Sequence, residues 1–250
     1  MNRPINVSPS SGAFLAIWND IEPSRVQEYE CWHAIEHVPE RVWVTGFAGA
    51  ARYVAASGSM PKYFTLYQLD SLDCLNSAQY RDLVDSPTPW SASMRPSFRN
   101  FLRKTYTSDV NMGVVLGTGL QVFRVLWDAE DTKKPTPAQL EILAQELLRQ
   151  GAKVCVTQVQ IGFSTPAGPQ AIANTDIAPS GVEHIFFLHT ASFDCLHLLG
   201  KLFADVAGEL LNSSLWHQSA AYQFSSLVLN TNVAQISRPA ARLDLMVDCV

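Results

Sequence analysis

The sequence predicts an α+β fold built from two tandem β-α-β-β-α-β repeats. Three observations carry this prediction. Segments of the two halves echo each other in order: "LAIWNDIE" (15–22) with "FRVLWDAE" (123–130), "KYFTLYQLDSLDCL" (62–75) with "HIFFLHTASFDCL" (184–196), and faintly "TPWSASM" (88–94) with "SLWHQSA" (214–220). Short apolar runs that alternate as strands do are separated by longer segments with helical spacing. The stretch richest in turn residues, "STPAGPQAIANTDIAPSG" (164–181), falls where the spacing between matched segments widens, as an inserted loop would.

The first half reads as a strand at 13–19, a helix over 23–38 and strands at 47–55 and 62–69. A helix at 71–85, a helical stretch at 90–100 and a strand at 102–108 follow. The second half repeats the order: strand 118–127, helix 136–150, strands 153–162 and 183–190, helix 192–211, strand 221–229. Pro137 stands near a helix start, where its missing N–H costs little. Gly151 is placed to end that helix in the left-handed conformation. Each β-α-β-β-α-β unit is ferredoxin-like, an antiparallel sheet with helices on one face. The bare face needs a cover, and the second copy supplies it. The expected result is a fused form of the dimeric α/β barrel, with repeats at 1–112 and 113–230 and a tail at 231–250 that straps the body.

Composition narrows the function. The chain has 250 residues, 47% hydrophobic and 16% charged, which suits a globular protein with a large core. A net charge of −5 argues against nucleic acid as a partner, because phosphate binding needs a basic surface. The densest basic run, "RPSFRNFLRK" (95–104), reads as a solvated helix face. No apolar run reaches the ~20 residues of a membrane span, and the polar N-terminus lacks a signal-peptide core. Five cysteines without a CxxC pair read as reduced, mostly buried thiols of a cytoplasmic protein.

The most informative stretch is "CWHAIEHVPER" (31–41). His33 and His37 lie one helical turn apart, as do Glu36 and Glu40. Cys31, Ala34, Ile35 and Val38 form a separate apolar arc expected to face the sheet. Pro39 is expected to end the helix at Val38. The helix dipole and neighbouring glutamates would then favour charged imidazoles. Three readings follow. His33-Ala-Ile-Glu36-His37 matches the HxxEH zinc-protease pattern, but that pattern needs a distant third ligand and a larger fold. The same residues can cap a helix and tie down the "VPERV" turn, with Arg41 paired to a carboxylate. The preferred reading is a substrate-facing acid–base group at the barrel mouth, with Glu36 or Glu40 orienting a histidine. The corresponding helix of the second half, "LEILAQELLRQG" (140–151), has no histidine, so the site is one-sided.

On this repeat, "EHVPERVWVTGFAGAARYVA" (36–55) followed by "PKYFTLYQL" (61–69) resembles the dimeric α/β-barrel superfamily, above all its EthD-like and "EHxPER" members. The likeness is strong over 13–108 and architectural over 115–230. Thr45 stands where relatives often have proline, and Ala51-Arg52 where they often have two arginines. The resemblance implies a range of activities: cofactor-free isomerases, cyclases, dehydratases and monooxygenases, and haem-degrading enzymes. Fold alone does not choose among them.

Strand alternation ranks the remaining groups. Tyr67, with Tyr63 and Thr65, is expected inside the barrel, and His189 at the matched position of the second repeat. Arg52, among small face-mates, suits a carboxylate or phenolate. Trp18, Trp90, Trp127 and Trp216 recur in both halves, which favours packing; Trp18 and Trp90 also suit an aromatic pocket wall. Asn19 closes a strand, where a turn is the simpler role. His184 reads as a strand-edge residue and His197 as a helix-surface residue, while His217 follows Trp216 and aligns with Ser91. No Rossmann fingerprint, P-loop or nucleophile elbow is present. The expectation is therefore a cofactor-free lyase, isomerase, cyclase or dehydratase for a small hydrophobic substrate, aromatic, polyketide-like or lactone. His33, His37, Glu36, Glu40, Tyr67 and His189 would be catalytic, and Arg52, Trp18, Asn19 and Trp90 would bind substrate. No cofactor or metal is required, and a homodimer is compatible. The alternatives are a cofactor-free or haem-linked monooxygenase, since haem needs only one histidine, and a non-catalytic binding barrel.

Overall fold

Eight antiparallel strands close into a barrel in the order β1-β3-β2-β8-β5-β7-β6-β4. The strands are β1 (Ala13–Ile21), β2 (Phe47–Gly58), β3 (Tyr63–Leu69), β4 (Phe98–Gly113), β5 (Gly119–Trp127), β6 (Val156–Ser164), β7 (Val182–Thr190) and β8 (Trp216–Leu229). This is a computed structural model, and it describes residues 12–58, 60–128, 134–175, 181–233 and 237–248. Helices α1 (Val26–Trp32), α2 (Val38–Val42), α3 (Ala78–Asp85) and α4 (Pro89–Met94) belong to the first half. Helices α5 (Pro137–Gly151) and α6 (Leu196–Asn212) belong to the second, and α7 (Leu243–Asp248) to the tail. Strands and helices thus run β-α-β-β-α-β twice. No helix among the described residues is long and apolar enough to cross a membrane.

Period-two alternation divides each strand between inside and outside. Phe14, Ala16 and Trp18 of β1 meet Phe64 and Leu66 of β3, Phe187 of β7 and Tyr222 of β8 in the cluster that fills the barrel. The alternate residues face the helices. Leu15 and Tyr67 pack with Val38, Val42 and Leu83, while Phe186 and Leu188 pack with Leu147 and Phe203. Pro137 occupies the start of α5, and Thr136 with Gln139 completes a capping box there.

Several expectations are corrected. Gly151 keeps a right-handed conformation; Cys155, at φ 56°, makes the left-handed turn after a short 3₁₀ segment. The segment 71–85 is a 3₁₀ turn plus α3, separated by Ser77, whose hydroxyl caps α3. The run 95–104 is not a helix face. It enters β4 at Phe98, and an irregularity near Asn100, at φ 48°, shifts the register, so Arg99 is exposed and Arg103 buried. Trp90 lies in a helix and Trp216 in a strand, so their sequence match is not a structural one. Cys155 is exposed and Cys31, Cys74 and Cys195 are half-buried free thiols, so the thiols are not core residues; Cys249 lies outside the described residues. His184 is buried, not at an edge.

Tyr67 and Trp127 were matched to the wrong faces. Tyr67 points to the helix layer, while His189 shares the inward face of Ile185 and Phe187. Counting back six residues from Cys74 and from Cys195 pairs His189 with Gln68 instead. A one-residue slip in alignment moves a strand side chain to the other face. Trp18 is likewise inward and Trp127 outward.

Candidate active site

Pro39 does not end the first helix. It has no N–H to give to Ile35, and the chain absorbs the mismatch in a π-turn over His33–His37, where the Val38 N–H donates to the His33 carbonyl. The helix then resumes as α2. The wider turn sets Trp32, His33, Glu36 and Glu40 toward the protein and leaves Ile35 44% exposed. The expected apolar arc is therefore split: Val38 reaches the core, Cys31 and Ala34 are half-buried and Ile35 faces out, while His33, Glu36 and Glu40 turn inward.

The glutamates do not orient the histidines. Glu36 accepts hydrogen bonds from the Thr88 hydroxyl at 2.6 Å and the Arg242 backbone N–H at 2.6 Å. Glu40 accepts from Arg238 Nε at 2.8 Å, and burial raises its pKa against the pull of Arg41 and Arg238. Both carboxylates hold the tail segment 237–248 against the first-half helices. Among the described residues, no three His, Cys, Asp or Glu side chains are arranged to hold a metal ion.

The histidines face a different neighbourhood. His33 and His37 have ring centroids 5.5 Å apart, and His37 lies against Trp32 at 4.3 Å. The Thr65 hydroxyl of β3 is 3.4 Å from His33 Nε2. Nδ1 of each ring is buried without a partner. Burial holds both imidazoles well below their usual pKa, and Arg52 beside His33 and Arg41 beside His37 add to it. Both rings are neutral at neutral pH, against the charged state expected from the helix dipole. Desolvation by the sheet and nearby guanidinium groups outweigh that dipole.

Both histidines line a pocket with about 730 Å³ of open space, mouth included. It lies outside the barrel, between the outer face of β1, β3 and β4 and the first-half helices, not at the barrel mouth. Leu15, Ile17 and Asn19 form the floor with Tyr67 and Arg103. Residues 169–172 of the inserted loop form a roof. Asn174 fixes that loop, accepting from the Arg103 N–H at 2.8 Å and donating to the Arg103 carbonyl at 3.1 Å.

Among the described residues, the lining contains Arg41, Arg95 and Arg103 but no carboxylate. Arg41 donates to the Leu83 carbonyl at 3.3 Å, Arg95 to the Val84 carbonyl at 2.8 Å and Arg103 to the Ala167 carbonyl at 3.0 Å. Each guanidinium is held by backbone oxygens, with no acid in the lining to neutralise it. Arg41 Nη1 and Arg103 Nε and Nη2 remain buried without partners. The sequence suggests a carboxylate partner for Arg41 and a solvated helix face for Arg95 and Arg103; instead all three line the pocket, and Arg41 donates to a backbone carbonyl. Arg103 is legible only once 98–105 is read as a strand, since it then shares a face with Phe101 and Thr105.

Asn19, Tyr67, His33 and His37 come together in this pocket, and burial raises the Tyr67 hydroxyl pKa. The other candidates lie elsewhere. Arg52 pairs with Glu30 at 2.8 Å beside His33. Trp18 stacks on Phe64 inside the barrel. Trp90 donates to Glu28 at 3.0 Å under α1. His189 is inside the barrel, 3.2 Å from Gln160, with its pKa lowered to about 3 by burial.

This barrel, with its helices outside, is the fold of the dimeric α/β-barrel proteins. An anthrone oxidase-like protein superposes with a TM-score of 0.61 at 10% identity, covering 96% of this chain and 99% of that one. A putative monooxygenase from Fusobacterium nucleatum gives 0.55 at 9% identity, over 88% and 96%. Chlorite dismutase from Candidatus Nitrospira defluvii gives 0.52 at 9%, over 88% and 94%. No protein-family model and no curated protein sequence matches the chain.

Proposed function

We propose that the protein is an enzyme that removes a proton from an acidic C–H of a small, flat, mainly apolar carbonyl compound. The observation that carries this is a pocket lined by two neutral histidines and three arginines, with no carboxylate among the described residues. His37 is the base: it lines the pocket, and its ring is neutral and free to accept. Arg41, Arg95 and Arg103 offset the negative charge that develops on the carbonyl oxygen. A guanidinium field that opposes imidazolium in the empty pocket is countered once the enolate forms beside it. Leu15, Ile17 and Trp32 exclude water from the reacting atoms. Return of the proton to a different carbon gives isomerisation, and loss of a leaving group gives elimination, as in the cofactor-free reading.

A second reading shares the first step. The names of the structural neighbours, an anthrone oxidase-like protein and putative monooxygenases, favour capture of the carbanion by dioxygen. A methylene R₂CH₂ and O₂ would give a hydroperoxide R₂CHOOH, which loses water to leave R₂C=O.

Anthrone, a flat ketone with an acidic methylene, serves as the probe. Under anaerobic conditions in deuterated buffer, the protein is expected to accelerate methylene exchange, and His37→Ala to lower the acceleration by about a hundredfold or more. The acid limb of the rate profile should lie below the usual histidine value of about 6.5. Anthraquinone appearing on admission of air would select the oxygen-dependent route. No acceleration for anthrone or for other enolisable aromatic ketones would sink the proposal. A Soret band on adding haem that is lost in His37→Ala would redirect it to haem chemistry.

A further inference from the structure

A second space opens at the barrel end where β2 begins and β3 and β8 finish. It holds about 900 Å³, mouth included. Gly49 and Ala51 leave room along the β2 wall, and their ladder partners Leu229 and Leu227 of β8 continue the same wall. At the rim, the linker between β4 and β5 presents Val114 and Val115, 74% and 49% exposed. Among the described residues, no charged side chain lines this space. Tyr53, 1% exposed and also in the lining, has a buried hydroxyl with no hydrogen-bond partner among them.

A buried hydroxyl without a partner is costly, and an acceptor brought by a ligand would recover that cost. An anionic ligand would meet no compensating cation here. We infer that this barrel-end cavity binds a neutral, mainly apolar molecule carrying one hydrogen-bond acceptor, a ketone, ester or ether oxygen, which receives the Tyr53 hydroxyl. The site is on the opposite side of the sheet from His33 and His37 and does not depend on the chemistry proposed there. The exposed valines and Leu227, 43% exposed, form an apolar collar through which the chain of the ligand enters.

The test uses the intact protein and the neutral dye N-phenyl-naphthylamine, displaced by methyl nonyl ketone or by undecane. One dye per chain is expected, with the ketone displacing it more tightly than the hydrocarbon. Tyr53→Phe should weaken the ketone about five- to tenfold and leave undecane unchanged, the size expected for one hydrogen bond. Leu227→Trp, a change at an exposed position, should block both. Ala51→Val, which fills the cavity partly, should weaken both if Tyr53→Phe proves unstable in a melting control. Equal ketone affinity in wild type and Tyr53→Phe would overturn the inference. So would a dye stoichiometry that Leu227→Trp leaves undiminished, or a dimer whose second copy seals the collar and excludes the dye.

Discussion

Arg124→Met is expected to destabilise the protein by about 3–5 kcal/mol, the cost of stranding a buried charge. The Arg124 and Glu183 side chains are 1% and 2% exposed. Arg124 donates to Glu183 from Nε at 3.2 Å and from Nη2 at 2.9 Å, a two-pronged pairing inside the barrel. The Tyr106 hydroxyl and Lys104 also donate to Glu183. The guanidinium is flanked by Trp18 and Trp216, at 5.9 and 5.3 Å. These partners hold the Glu183 carboxyl below its ordinary pKa although burial pushes the other way. With methionine at 124, Lys104 at 3.3 Å is the remaining cation, and it is half-exposed to water. Removing both charges is different. Arg124→Met with Glu183→Leu should recover most of the loss, because two desolvation costs vanish together. Urea unfolding of both singles and the double would measure the coupling. A loss under about 1 kcal/mol for Arg124→Met would show that water reaches the pair and screens it.

That network also shows how far the sequence can be read. Arg124 sits in "FRVLW", and inward placement follows from alternation with Leu120 and Val122. Glu183 faces inward by the same rule, beside Ile185. The order of strands and helices was legible because turn residues and apolar alternation mark it locally. What failed were faces and fine geometry. The repeat matched Tyr67 with His189 and Trp18 with Trp127, each one residue out, and each error exchanged inside for outside. Pro39 was read as a helix end because a π-turn has no local sequence signature; tertiary packing of Trp32 and Val38 pulls the chain onward. His33 and His37 were found from spacing alone, but their company was not. Arg95 and Arg103 are far from them in sequence, and only the closing of β4 against β1 brings them in. The roof at 169–172 comes from the other half, so no reading of the first half alone would include it.

Acidification from pH 7.5 to 5.5 should cost the protein about 3 kcal/mol of stability or more, through imidazoles that fold neutral. His33, His184 and His189 are 4%, 4% and 0% exposed. Burial lowers all three; the values are about 4 for His184 and about 3 for His189, and His33 lies well below 6.5. In the unfolded chain each titrates near 6.5. Above that value neither state binds the proton and the histidines contribute no pH dependence. As pH falls below it, the unfolded state takes up protons that the folded state refuses, so stability declines by about 1.4 kcal/mol per unit for each ring. The decline levels off only once pH drops through the folded values. Asp109 works against it. Burial raises its carboxyl to about 6, so the folded state gains a proton first; the residue is exposed, and screening by solvent holds the recovery below about 1 kcal/mol by pH 5.5. These three rings less this offset leave about 3 kcal/mol, and the half-buried His37, also held well below 6.5, adds to the loss. Chemical denaturation at the two pH values measures it directly, and His189→Gln, which keeps a polar partner for Gln160, should flatten the slope by about a third. Equal stability at both pH values would mean that these rings take up protons in place, as rings reached by water would.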